Sequence, residues 1–205
     1  SEFRTFSPKL KIGVLASGEG TNFQELINHS KNEKLDIDIK VLITNNKDAG
    51  CIKRALRANV PHKIINGNDY NNKELFELEI INILNSYDVE LVVMAGWMKI
   101  VSSIFVNEFK NRIINIHPSL LPSYKGNNAI SEALSNGSKI TGCSVHFVET
   151  EVDSGSLIMQ AALSILKNDN IETLSKKIQM LEHKILPLSI SEAGYFIRDK
   201  VMDSG

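Results

Sequence analysis

The sequence predicts an α/β protein: a mostly parallel, twisted sheet with helices on both faces and antiparallel strands toward its C-terminus. Three observations predict it. Short apolar runs alternate with segments of helical period from the first strand through His117. Those runs are unbroken rather than alternating, as expected of parallel strands covered on both faces. After Gly126 the rhythm changes, and two strand-like segments follow one another across a short turn.

The elements follow in order. KIGVLASG (Lys11–Gly18) is an apolar run ending in glycine, and NFQELINHSKN then places Phe23, Leu26 and Ile27 at helical period. Ile37–Asn46 is a second strand followed by turn chemistry. AGCIKRALRANV is a helix, and His62–Asn66 a third strand. In Asn72–Tyr87 the residues Phe76, Ile80, Ile83 and Tyr87 mark a long helix. Val89–Gly96 is a buried strand, SSIFVNEFK a short helix and Arg112–His117 a further strand. AISEALSNG is a helix closed by glycine. Thr141–Glu149 and Ser156–Ile165 are strands joined by TEVDSG. The final helix carries Ile171, Leu174, Ile178, Leu181 and Ile185 as a core stripe. The alternation is Rossmann-like, with right-handed crossovers between parallel strands.

The 205 residues suit one domain, drawn here as a tail over 1–10 and a single domain over 11–205. At 42% hydrophobic and 23% charged, the composition is that of a globular chain. A net charge of −1 gives no signal for nucleic acid or an anionic membrane. Leu91–Met98, the longest apolar run, is too short to span a bilayer. The two cysteines, Cys51 and Cys143, lack disulfide-framework or zinc-site spacing and read as buried thiols. The expected setting is the cytoplasm.

ASGEGTNF follows a strand and opens a helix. Its glycines let backbone amides approach an anion at a helix N-terminus. The dinucleotide fingerprint is incomplete, because Phe23 stands where a third glycine belongs and Asn45–Asn46 where a ribose-binding acid belongs. A P-loop is excluded by the missing G-K-[ST]. What remains is a small phosphate cradle of Gly18, Gly20, Thr21 and Asn22, set against a plain strand-to-helix turn capped by Thr21 or Asn22.

In IINIHPSLLPSYKG, Asn115 and His117 are two apart on a strand and share a face, while Ile114 and Ile116 take the other. They lie at the C-terminal end of a parallel strand, where open α/β sheets place ligands. No serine elbow, nearby cysteine or metal-like cluster accompanies them. Acyl transfer to an amine needs no enzyme nucleophile. It needs a donor for the oxyanion and a group that moves protons; an amide and an imidazole supply these. Asp153, in the turn VDSG, is the candidate acid that orients the imidazole or its water; ordinary turn chemistry with Gly155 is the competing reading. His29, His62 and His146 read as structural.

Five ordered segments, KIGVLASGEGTNFQ, VVMAGWMKIVS, NIHPSLLPSYKG, TGCSVHFVETEVDSG and LEHKILP, together resemble the folate-dependent glycinamide ribonucleotide formyltransferases from about Lys11 to Gly194. The resemblance implies the formyltransferase fold. It implies transfer of a formyl group from 10-formyltetrahydrofolate, as co-substrate, to the amine of glycinamide ribonucleotide in de novo purine biosynthesis, without a metal. It implies that Asn115, His117 and Asp153 are catalytic. Gly20, Thr21 and Asn22 then hold the substrate phosphate, and Glu182 the ribose hydroxyls. From helical period alone Glu182 reads as a solvated charge. Trp97, Met98, Lys99, Ile100, Val101, Val148, Glu149 and Val152 match the folate pocket.

Three positions depart from that family. Lys73 stands where an arginine assists the phosphate, which gives charge without a bidentate fork. Asn128 and Ile130 stand where bacterial relatives carry histidines. Related enzymes transfer the group to methionyl-tRNA or a nucleotide sugar, or hydrolyse the folate. The tRNA enzymes carry a further C-terminal domain and the hydrolase a further N-terminal one. Neither extension is expected beside about ten residues before the first strand and an end near residue 205. A binding module without catalysis is the reading from another class, and the trio Asn115, His117 and Asp153 argues against it. The partners are small molecules, with no nucleic acid or membrane, and the state is monomer or homodimer.

Overall fold

The computed structural model describes residues 2–99, 101–150 and 153–203, with side chains described as far as residue 199. Seven strands form one sheet: β1 (Leu10–Leu15), β2 (Ile37–Thr44), β3 (His62–Ile64), β4 (Leu91–Met94), β5 (Ile113–His117), β6 (Ile140–Phe147) and β7 (Leu157–Ser164). Their order is β3-β2-β1-β4-β5-β6-β7. The pairings from β3 through β5 are parallel, while β6 pairs antiparallel with both β5 and β7. The predicted architecture and the change of rhythm after Gly126 are both present.

Helices cover both faces. α1 (Thr21–Lys31), α2 (Cys51–Arg57), α5 (Ala129–Ser135) and α6 (Ile171–Asp203) pack on one, α3 (Lys73–Ser86) and α4 (Ser103–Glu108) on the other. The first core joins Ile12 and Val14 of the sheet to Phe23, Leu26 and Ile27 of α1 and to Leu174, Ile178 and Ile190 of α6. The second joins Leu15, Val41 and Val92 to Phe76, Ile80 and Leu84 of α3 and to Phe105 of α4. Truncating one such buried Leu or Ile to Ala costs roughly 2–5 kcal/mol. Cys51 and Cys143 are free and buried.

α3 forms as expected; it buries 76, 77, 80, 81 and 84, and Ile83 and Tyr87 pack partly buried against the same core. Several expectations need adjustment. Ile171, placed in the core by period, is 56% exposed because it opens α6 before that helix reaches the sheet. α6 continues through Pro187, which removes one backbone donor. The segment before β1 also packs. Phe6 is buried in the first core, its N–H donates to Asp36 Oδ2, and the Arg4 N–H donates to Ser191 Oγ of α6. Among the described residues no helix is long and apolar enough to cross a membrane.

Candidate functional site

The strand order reverses between β1 and β4, and the carboxyl ends of β1, β4 and β5 open there into a cleft of about 670 Å³. That is where an open α/β sheet binds its ligand, and the volume suits a small molecule. Ser17 ties the two loops at this point: its N–H donates to Gly96 O, its hydroxyl donates to Asn45 Oδ1 and it accepts the N–H of Met98.

The wall beyond β1 is the glycine loop. Gly20 has φ +75°, and a Cβ there would come within 2.6 Å of Cys51 Cβ, so both backbone hand and space require glycine. Gly20 is also the N-cap of α1, and no side chain caps that helix. The first-turn amides are therefore open to an anion, rather than satisfied by Thr21 or Asn22 as a plain turn would have them. Arg54 Nε donates to the carbonyl of Glu19 at 2.7 Å. Because the peptide is trans, this turns the Gly20 N–H the opposite way.

Glu182 of α6 faces the same end of the cleft and is only 8% exposed. This corrects the period-based reading as a solvated charge: α6 turns a second stripe, Ser175, Gln179 and Glu182, into the cleft beside its core stripe. Burial pushes the Glu182 carboxyl up to about 7 against the opposing hydrogen bond from Asn22. Asn22 Oδ1 is buried with no hydrogen-bond partner among the described residues.

The polar centre is built from β5, β6 and the turn after β6. Asn115 and His117 share one face of β5, as expected, with Ile114 and Ile116 buried in the first core. His117 Nε2 donates to Tyr124 O at 2.8 Å, since a carbonyl only accepts. Its other nitrogen, Nδ1, stands 3.5 Å from Asp153 Oδ1. Asp153 Oδ2 accepts the Gly126 N–H at 2.7 Å. One carboxylate thus faces the imidazole and ties down the loop that follows it. That loop is pinned elsewhere by Ser144, whose hydroxyl donates to Ser119 O and accepts the Leu121 N–H.

His146 belongs to this centre, which corrects its reading as structural. In the antiparallel β5–β6 register it lies directly opposite Asn115, and a bulge between Val145 and His146 on the β7 side re-aims it. Its Nδ1 donates to Phe147 O and Ser154 O, so its neutral Nε2 is an acceptor. Asn115 Nδ2 lies 3.3 Å from that nitrogen. One amide hydrogen is held by His146, which leaves the other for a ligand. Burial lowers the His146 pKa and favours the neutral acceptor, against the two carbonyls and Asp153. The signal that could have found it is the alternation Ser144, His146 on one strand face, and it becomes readable once β6 is paired with β5.

Trp97, Met98, Lys99, Val101, Val148 and Glu149 also line the cleft. Trp97 is largely buried, its ring stacked on Phe76 at 6.4 Å and 3°. Ile100 and Val152 lie outside the described residues. Ile130 also lines the cleft, whereas Lys73 is exposed at the start of α3 and is not part of the lining. Among the described residues no group of three or more His, Cys, Asp and Glu converges as a metal ion requires.

Comparison with known proteins shows the family and the fold. The sequence pattern of the formyl transferase family matches residues 10–190. The crystal structure of glycinamide ribonucleotide transformylase 1 from Symbiobacterium toebii superposes with a TM-score of 0.90 at 36% identity, covering 97% of this chain and 94% of that one. Phosphoribosylglycinamide formyltransferase from Bacillus halodurans gives a TM-score of 0.86 at 35% identity, covering 89% and 94%. The human trifunctional purine biosynthetic protein adenosine-3 is 38% identical over 182 residues, which is 89% of this chain and 18% of that protein. Its counterpart from Chironomus tentans is 39% identical over 192 residues, and the chain spans 14% of its length.

Proposed function

This chain belongs to the formyl transferase family, and we propose that it moves a formyl group from 10-formyltetrahydrofolate to the amine of glycinamide ribonucleotide in purine biosynthesis. The observation that carries the reading is the meeting of Asn115, His117 and Asp153 at a strand-order reversal, beside a helix N-terminus left open to an anion. Gly20, Thr21 and Asn22 hold the phosphate, and Glu182 accepts from the ribose hydroxyls. The pterin lies against the loop that begins at Trp97. The setting is the cytoplasm, and both substrates are small molecules.

The chemistry follows from the hydrogen bonds. The amine nitrogen attacks the formyl carbon, and the carbonyl oxygen gains charge. The free N–H of Asn115 donates to that oxygen; removing one such donor typically costs on the order of 10²–10³ in rate. Tyr124 O fixes the proton on His117 Nε2, so Nδ1 is the nitrogen that exchanges protons. Asp153 Oδ1, 3.5 Å away, faces that nitrogen and orients the ring. The attacking nitrogen loses one proton and N10 of the folate gains one as the C–N10 bond breaks, so the products are the formamide and tetrahydrofolate. Mixing the protein with both substrates and following loss of the formyl donor tests this. Donor consumption that requires the amine supports it, and no consumption by well-folded protein overturns it.

A further inference from the structure

α3 touches the loop after β4 at two places, through consecutive residues. Phe76 stacks on Trp97, the first residue of the segment 97–101. Glu77, only 3% exposed, accepts the N–H of Ser102 on Oε2 at 2.9 Å, at the other end of the same segment. The second oxygen of Glu77 is buried with no hydrogen-bond partner among the described residues, and so is the hydroxyl of Ser102.

This is a costly place for a carboxylate. A buried charge with one partner is destabilising unless its surroundings compensate it. Neighbouring core positions on α3 are filled by Phe76, Ile80, Ile81 and Leu84, and an apolar side chain at 77 would also pack there. What an apolar residue cannot do is accept the Ser102 N–H. That bond fixes the start of α4, and with the Trp97 stack it holds this cleft wall at Trp97 and at Ser102. Met98 within this wall is 65% exposed, so packing alone does not hold it.

We propose that Glu77 is a positioning residue for the folate: its carboxylate holds the cleft wall at Trp97–Lys99 and Ser102 in the shape that receives the pterin, without touching either substrate. The inference rests on the reading of this cleft as a formylfolate site, and its test separates the two. The chain has a single tryptophan, Trp97, so its fluorescence reports this wall directly. In Glu77→Ala, and in Glu77→Asp, which withdraws the carboxylate by one methylene, Trp97 emission shifts to longer wavelength and acrylamide quenches it more strongly. The Kd of tetrahydrofolate, read by the same fluorescence, rises about tenfold, the usual effect of losing one hydrogen bond to a charged acceptor.

In turnover, KM for the formyl donor rises similarly, while kcat and KM for the amine stay within about twofold. Glu77→Gln, whose amide oxygen still accepts the Ser102 N–H, restores emission and folate affinity. Unchanged emission and folate affinity in a folded Glu77→Asp protein overturn the proposal. A rise in both KM values that Glu77→Gln fails to rescue also overturns it, because that pattern marks a general structural role. If the wild-type chain binds tetrahydrofolate but does not transfer the group, the activity reading fails, while emission and folate affinity still decide the role of Glu77.

Discussion

Asp153 Oδ1 stands 3.5 Å from His117 Nδ1, although one residue ends a parallel strand and the other sits in the turn between two antiparallel ones. Asp153 holds this position with φ +49°, a left-handed backbone that non-glycine residues adopt rarely. The carboxylate reaches the imidazole because β6 returns along β5 and delivers its following turn to the strand end where the imidazole lies.

Removal of the imidazole is expected to abolish most turnover. His117→Ala should lower kcat by roughly 10²–10⁴, the worth of a placed acid–base group. Asp153→Asn should lower it less, and the double variant should be little worse than His117→Ala alone, since the pair acts as a unit. Steady-state kinetics on the three variants check this, and a near-normal rate in His117→Ala removes His117 from the mechanism.

The two histidines should show opposite tautomers. Ring ¹⁵N resonances are expected to report Nε2–H for neutral His117, which faces Tyr124 O, and Nδ1–H for His146, which faces Phe147 O and Ser154 O. His146→Phe removes the acceptor for Asn115 and should cost about 3–10-fold in kcat, one net hydrogen bond. An Nε2–H tautomer at His146 contradicts the assigned role of Asn115.

Glu182 predicts two pH effects. Its carboxyl is raised from 4.5 to about 7 in the folded chain, so the folded state holds its proton more tightly than the unfolded state. Stability is therefore lost as pH rises from 4.5 to about 7, and the full loss is present above that, up to about 3 kcal/mol. Glu182→Gln should accordingly unfold at higher denaturant concentration than wild type at pH 8, with the difference gone near pH 4. Ribose hydroxyls favour the ionised form. Binding of the nucleotide near pH 7 should thus release a proton in calorimetry, and Glu182→Gln should lose that component along with affinity. Equal proton release by both proteins rules the assignment out.

Gly20→Ala should damage nucleotide binding more than folding. The left-handed backbone costs a side chain about 1–2 kcal/mol, and the collision with Cys51 displaces the loop. KM for the nucleotide should rise at least tenfold, and protection against heat by inorganic phosphate should weaken. A variant that keeps wild-type nucleotide affinity argues that the loop is only a turn.

The layered α/β architecture was legible because its signals are local. Unbroken apolar runs, helical period and the change of rhythm after Gly126 each depend on neighbours within one element. The polar pair Asn115 and His117 was legible for the same reason, since alternation along one strand fixes their shared face. Glu182 and His146 were misread by the same local reasoning. Glu182 lies on a helix stripe that looks solvated until α6 is laid against the cleft, and His146 is a lone strand histidine until β6 is paired with β5. Ile171 failed in the opposite sense, because a periodic apolar residue in a first turn can precede the contact that would bury it.

By itself the sequence determined the strands and helices, the glycine-bearing strand-to-helix loop and the side chains able to donate, accept and carry a proton. These are set by bond geometry and by the spacing of residues along one element. Only the tertiary structure decided which of those side chains meet, which histidine nitrogen is free, and that Glu77 reaches across to Ser102. Hydrogen bonds and burial depend on distances of a few ångströms between segments far apart in the chain, and those distances exist only once the sheet has ordered its strands.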